Sequence, residues 1–249
     1  MPTMRSVMAP LFAAAVAVSG CRGAKAQLAC APFTQDVIAA PEPRENAVVR
    51  KRFEQINDAV KRHSYPVLFL GDSLTQRWDE VAADQQIWRQ YFQRFDALNA
   101  GINGDRTEHL LWRIEHGNLE NQRPQVAVLL IGTNDLGHGR SPEDAAEGVR
   151  QVLIELREML PATRVLLQGL WPRNDLQRLS SEIGPVNDRI SHCGDNTSVV
   201  YRDLGRNLLD SEGRLTRTIA PDGLHPSPAG YAKISPIIAQ ELQALLSAR

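Results

Sequence analysis

Val67-Leu68-Phe69-Leu70-Gly71-Asp72-Ser73-Leu74 is the stretch on which the fold turns. Four apolar residues rich in strand formers stop abruptly at a glycine, an aspartate and a serine. Strands buried on both faces of a parallel sheet read as such unbroken apolar runs, and ligands of open α/β sheets bind beyond their carboxyl ends. Ser73 therefore stands where a nucleophile would. Far along the chain, Asp222-Gly223-Leu224-His225 offers an imidazole and a carboxylate to orient it. A serine hydroxyl is a weak nucleophile until an oriented base takes its proton, and these residue types supply that base.

Further strand-like runs occupy residues 95–100, 126–131, 164–170 and 198–202, which with 66–70 predict five strands. Between and around them apolar residues recur at helical spacing. Over 45–62 the repeat is carried by Val48, Val49, Phe53, Ile56 and Val60, and similar patterns cover 78–92, 108–116, 142–160, 180–192 and 227–246. Ser141, Pro142, Glu143 and Asp144 form a strong helix start: a cap, a proline in the first turn, and acids at the positive end of the dipole. Strict alternation of this kind predicts one α/β domain, a five-stranded parallel sheet with helices on both faces.

Three strands end in polar, glycine-bearing turns: Gly71-Asp72-Ser73, then Asn99 through Asp105, then Ile131-Gly132-Thr133-Asn134-Asp135. Carboxyl ends of neighbouring parallel strands share one rim, so these turns are expected to meet. The backbone N–H groups of Ser73 and Gly104 and the side-chain amide of Asn134 would then surround one point, an oxyanion hole by role. Asp72 is expected to fix its turn by side-chain to backbone bonds. Asn103 and Asp135 read as supporting turn residues, and Asp105 as a cap for the helix after it. Ser73 is not in G-x-S-x-G, no phosphate or dinucleotide glycine loop follows a strand, and no H-E-x-x-H occurs. His109, His116, His138 and His192 are assigned to solvated faces, Trp112 to the core, and Trp171, past a strand end, is a candidate to line the pocket.

Gly71-Asp72-Ser73-Leu74, Gly104 before Asp105, Gly132-Thr133-Asn134-Asp135 and Asp222-x-x-His225 resemble, in order, the four blocks of the SGNH (GDSL) hydrolases. Within them the chain resembles the catalytic subunits of intracellular platelet-activating factor acetylhydrolase. That similarity rests on Leu98 through Asp105, Leu111-Trp112-Arg113-Ile114, Gly117 through Asn121, Gly169 through Arg173, and Gly230-Tyr231-Ala232-Lys233. The resemblance implies a flavodoxin-like three-layer sandwich and a serine esterase that needs no cofactor or metal. It implies Ser73 as nucleophile, His225 as base, Asp222 as its orienting carboxylate, and Ser73, Gly104 and Asn134 as oxyanion donors. The acyl group it favours is short, acetyl first, on a lipid or carbohydrate alcohol. Lysophospholipase and thioesterase activities fit the same blocks, and related subunits form dimers.

The leader departs from those animal subunits, which are cytoplasmic. Arg5 precedes an apolar stretch, residues 7–18, too short to span a bilayer but suited to a signal peptide. Val18-Ser19-Gly20-Cys21 resembles a lipobox, which would lipidate Cys21 and tether the protein to a membrane; Ala24-Lys25-Ala26 offers ordinary cleavage instead. Residues 1–26 thus read as an export signal, 27–44 as a proline-bearing arm, and 45–249 as the hydrolase domain. The mature protein is expected in the periplasm or on a membrane as a lipoprotein. Cys30 and Cys193 then remain as an even pair in an oxidising compartment, open to a disulfide. A formal charge of −1 argues against a nucleic-acid partner.

Two readings from other classes stay open at this level. One is a non-catalytic envelope binding module on an esterase fold. The other is a metal-dependent phosphoesterase with Asp72, Asn134, Asp222 and His225 as ligands for Mn²⁺ or Zn²⁺.

Overall fold

The computed structural model describes residues 28–34 and 40–248. The export signal, with Cys21 and the alternative cleavage site, lies outside the described residues. Five strands, β1 (Val67–Gly71), β2 (Ala97–Gly101), β3 (Val126–Leu130), β4 (Arg164–Gln168) and β5 (Val199–Arg202), form one all-parallel sheet in the order β2-β1-β3-β4-β5. This is the flavodoxin-like doubly wound order, whose switch point lies where β1 separates β2 from β3. Every residue of β1 and β3 is buried, as continuous apolar runs between two helical layers must be. Eight helices accompany the strands among the described residues: α1 (Ala47–Arg62), α2 (Ser73–Gln76), α3 (Ala82–Tyr91), α4 (Thr107–Arg113), α5 (Thr133–Gly137), α6 (Pro142–Met159), α7 (Gln177–Ser191) and α8 (Pro228–Ser247).

Several local expectations are met. Ser141 caps α6 by accepting from the Asp144 N–H at 3.1 Å, with Pro142 in the first turn. Others are corrected. The segment expected as a strand from Phe95 begins only at Ala97, because residues 93–95 form a tight turn closed by Asp96 in the left-handed region at φ 50°. The helix expected over 78–92 is broken into a turn at Arg77–Asp79 and α3, because Val81 between them takes an extended backbone at φ −109° and ψ 136°. The helix after β2 yields after Arg113 to a widened turn, where Gly117 takes φ 129°.

Behind α2 lies an aromatic cluster that seats the Ser73 turn. Trp78 packs against Phe69, Trp88, Phe92, Trp171 and Tyr231 with ring centroids 4.8 to 6.1 Å apart. Such pairs add about 0.5–1.5 kcal/mol each beyond the area they bury. Trp171, at 1% exposure, is a core residue of this cluster rather than a pocket wall, a correction to the sequence expectation. Tyr231 of α8 donates its hydroxyl to the Leu74 carbonyl at 2.9 Å, so the last helix buttresses the turn directly. Trp112 is only partly buried, between Phe53 and a stacked His116, which corrects its assignment to the core.

The arm is tied down. Cys30 and Cys193 form a disulfide across 163 residues of sequence, and Arg44 reaches the turn after β2.

Candidate active site

Strand register brings the three turns together. Gly71 of β1 lies level with Gly101 of β2 and Leu130 of β3, so Ser73, Gly104 and Asn134 emerge two to four residues beyond one line across the sheet. Each turn has a local reason for its shape. A Cβ on Gly71 would stand 2.3 Å from Thr75 Oγ1 and 2.4 Å from the Leu130 carbonyl oxygen, so only glycine lets the chain turn this closely between strands. Asp72 caps α2, its Oδ1 accepting from the Leu74 N–H at 2.9 Å, and this places Ser73 in the first turn of the helix. The turn-fixing role expected for Asp72 is the one observed. Gly104 sits at φ 76°, where a side chain would be strained.

Asp222 and His225 arrive from the loop before α8. His225 Nε2 lies 2.9 Å from Ser73 Oγ, and Nδ1 lies 2.7 Å from Asp222 Oδ2. Asp222 Oδ1 accepts from the backbone N–H groups of Leu224 and His225 at 2.9 and 2.7 Å. Partial burial pushes this carboxyl up, but the His225 ring and those two N–H groups outweigh it and hold it down at about 2. Asp222 is thus a carboxylate at any working pH. It fixes the imidazole with Nδ1–H as donor, which leaves Nε2 free to accept the Ser73 proton. Such a chain can activate a hydroxyl for attack on a carbonyl.

Asn134 is anchored. Its side-chain nitrogen donates to the Asp105 carbonyl at 2.9 Å, leaving one amide hydrogen for other use. Asp135 binds across to the same neighbouring turn, accepting from Thr107 N–H at 3.1 Å and Thr107 Oγ1 at 2.7 Å, and pairs with Arg140 at 2.6 Å. Burial raises Asp135 to about 6 against these bonds. Asn103, exposed, donates its N–H to Gln76 Oε1 at 2.6 Å, linking the Gly104 turn to α2.

Asp105 does not cap α4, as had been expected. Arg106 occupies the cap position, and the Asp105 carboxylate is buried between Arg113 and Arg44. His109 is buried as well, not solvated: its Nδ1 accepts from the Arg106 N–H at 3.0 Å, and burial with the Arg106 charge lowers it to about 4. His116, His138 and His192 are exposed as expected.

Of the residues in the metal reading, Asp72, Asp222 and His225 do not gather into a trio with ligand atoms within 4.8 Å of one another. Among the described residues the one trio of His, Cys, Asp or Glu with ligand atoms within 4.8 Å of one another is Glu42, Glu108 and His109. Arg106 contacts both Glu108 and His109, and Arg140 pairs with Glu108 at 2.9 Å, so fixed cations already occupy that trio.

Sequence reasoning gave no role to the arginines beneath the rim. Arg173 donates to the Thr133 carbonyl and hydroxyl at 2.9 and 3.0 Å, and Arg113 ties β1 to the Gly104 turn. Both lie in stretches that carry the family resemblance, which was the available signal.

Comparison with known proteins agrees with this geometry. The sequence profile of the GDSL-like lipase/acylhydrolase family matches residues 69–233. The human platelet-activating factor acetylhydrolase IB subunit alpha1 is 34% identical over 172 residues, 68% of this chain and 71% of that one. The alpha2 subunit from Rattus norvegicus is 34% identical over 170 residues, 68% and 72% of the two chains. In fold, a GDSL-like lipase from Bacteroides thetaiotaomicron superposes with a TM-score of 0.63 at 20% identity, covering 78% of this chain and 97% of the other. The turns at Ser73, Gly104 and Asn134 thus lie within a matched family framework, and the chain belongs to the GDSL-like lipase/acylhydrolase family as an ester hydrolase.

Proposed function

We propose that the protein is an exported serine esterase that removes short acyl groups, acetyl above all, from a lipid or carbohydrate alcohol. The observation that carries this reading is the unbroken hydrogen-bond chain from Asp222 through His225 to Ser73. His225 Nε2 takes the Ser73 proton as Oγ bonds to the ester carbonyl carbon. The oxyanion is held by the Ser73 and Gly104 N–H groups and the Asn134 amide. Collapse of this intermediate breaks the bond to the alcohol oxygen, which leaves with the proton from His225. Water, deprotonated by His225, then attacks the acyl-enzyme, and Ser73 recovers its proton as the acid departs.

Relatives at 34% identity that are named acetylhydrolases support a small acyl group. Export is supported by the leader and by the Cys30–Cys193 disulfide, which suits an oxidising compartment.

The test is intact-protein mass after a fluorophosphonate probe, on the leaderless protein and on Ser73→Ala, followed by p-nitrophenyl esters of graded chain length. One adduct lost in the variant, with turnover falling as the acyl chain grows, is the expected result. No adduct on folded protein refutes the serine mechanism, and a preference for long chains refutes the acetyl assignment.

A further inference from the structure

We propose that Arg113 is a positioning residue for the oxyanion hole, one buried guanidinium that holds the Ser73, Gly104 and Asn134 segments in mutual register. The proposal rests on the reading of those three residues as oxyanion donors.

Arg113 projects from α4 into the space beneath the three turns, and its side chain is 3% exposed. Its three nitrogens go to three places. Nη2 donates to the Gly71 carbonyl at 2.8 Å, two residues before the nucleophile. Nε donates to Asp105 Oδ2 at 2.7 Å, one residue after Gly104. Nη1 donates to Asn118 Oδ1 at 2.8 Å, which holds the fork from behind. The Asn134 segment joins through Asp105, whose carbonyl oxygen accepts from the Asn134 amide. All three oxyanion segments are thus tied, directly or through Asp105, to a single planar group.

Planarity is the reason for an arginine here. A guanidinium fixes its donors in one rigid plane, whereas an ammonium on a flexible stem holds charge without fixing direction. Asp105 is gripped from its other oxygen too: Arg44 Nη1 lies 3.4 Å from Oδ1 and donates to the Asn103 carbonyl at 2.5 Å. The Arg44 guanidinium also fills the space beside Gly104, 3.1 Å from where a Cβ would stand. The turn that presents the Gly104 N–H is therefore clamped from the core by Arg113 and from the arm by Arg44. Donors of an oxyanion hole contribute only when preset at the position the oxygen will occupy, so loosening this clamp acts on the transition state more than on substrate binding.

The experiment compares Arg113→Lys, Asn134→Ala and the double variant on p-nitrophenyl acetate, with urea unfolding of each. Arg113→Lys keeps the charge and loses the fork. Expected is a fall in kcat of up to about 10²-fold with KM nearly unchanged, since a small misplacement suffices for that loss. In the Asn134→Ala background the same substitution should cost much less, because part of the geometry it protects is already gone. If Arg113→Lys does not fold, Asp105→Asn replaces it, keeping an acceptor for Arg113 while presenting amide hydrogens to Arg44. Full kcat in the folded Arg113 or Asp105 variant, or equal losses in both backgrounds, overturns the proposal while leaving the esterase reading intact. Full kcat in Asn134→Ala overturns the oxyanion reading on which it rests.

Discussion

Replacing Asp72 by asparagine tests whether the carboxyl beneath Ser73 carries a proton at neutral pH. The side chain is fully buried; Oδ1 accepts from the Leu74 N–H, and Oδ2 has no hydrogen-bond partner among the described residues. Burial pushes the carboxyl from an ordinary 3.8 up to about 7; the Leu74 N–H pulls it down, and the Asp105 and Asp135 carboxylates push it further up. In the unfolded chain it therefore ionises near pH 4, and in the folded chain near pH 7. Between those values unfolding releases a proton, so the stability this group contributes is greatest below pH 4 and is lost as pH rises through 7. At about 1.4 kcal/mol per pH unit, the interval from 4.5 to 8 removes about 3 kcal/mol. The asparagine of Asp72→Asn does not titrate and keeps the acceptor for Leu74, but its amide hydrogens would lie where Oδ2 has no partner, a pH-independent cost of about 1–3 kcal/mol. The variant should thus be less stable than the parent at pH 4.5 and equal to it or more stable at pH 8. Urea unfolding followed by tryptophan fluorescence, disulfide intact, measures the difference at each pH. A difference constant to within about 0.5 kcal/mol across that range would show that Asp72 is ionised throughout and sink the argument.

Three further outcomes follow from the same geometry. Asn134→Ala should lower kcat on p-nitrophenyl acetate by about 10²–10³ while the fold is retained, the usual cost of one oxyanion donor. Asp222→Asn should lower kcat by up to about 10⁴. Because Oδ1 is held by two backbone N–H groups, the new amide nitrogen must face His225 Nδ1 and leave Nε2 protonated; an unchanged pH–rate profile and kcat would contradict this. Removing the disulfide as the double Cys30→Ala, Cys193→Ala variant should cost about 2–4 kcal/mol in urea unfolding, against a chain-entropy ceiling of about 5 kcal/mol for so long a loop.

Much of the site was legible because its chemistry is local. Asp72 capping α2, Gly104 at positive φ and Asp222 folding back on His225 are contacts within three residues, which spacing and residue type reveal. The errors arose where a side chain's environment is assembled from distant segments. Asp105 looked like a cap because it precedes a helix, but Arg113 and Arg44 claim its carboxylate from two directions. Trp171 looked like a pocket wall because it follows a strand, but Trp78 and Tyr231 draw it inward. His109 looked solvated, but the Arg106 backbone N–H gives its ring a buried acceptor role.

The order of strands and helices, the parallel sheet and the candidacy of Ser73, Asp222 and His225 were written in the residues, since period, turn chemistry and motif depend on neighbours in the chain. Tertiary structure alone decided that Nε2 of His225 stands 2.9 Å from Ser73 Oγ across 152 residues, that Cys30 meets Cys193, and that one arginine underlies three turns. Those facts depend on where the sheet sets its carboxyl ends and on which buried charges must find partners there. Coulomb attraction and desolvation act through space, and no spacing along the chain records them.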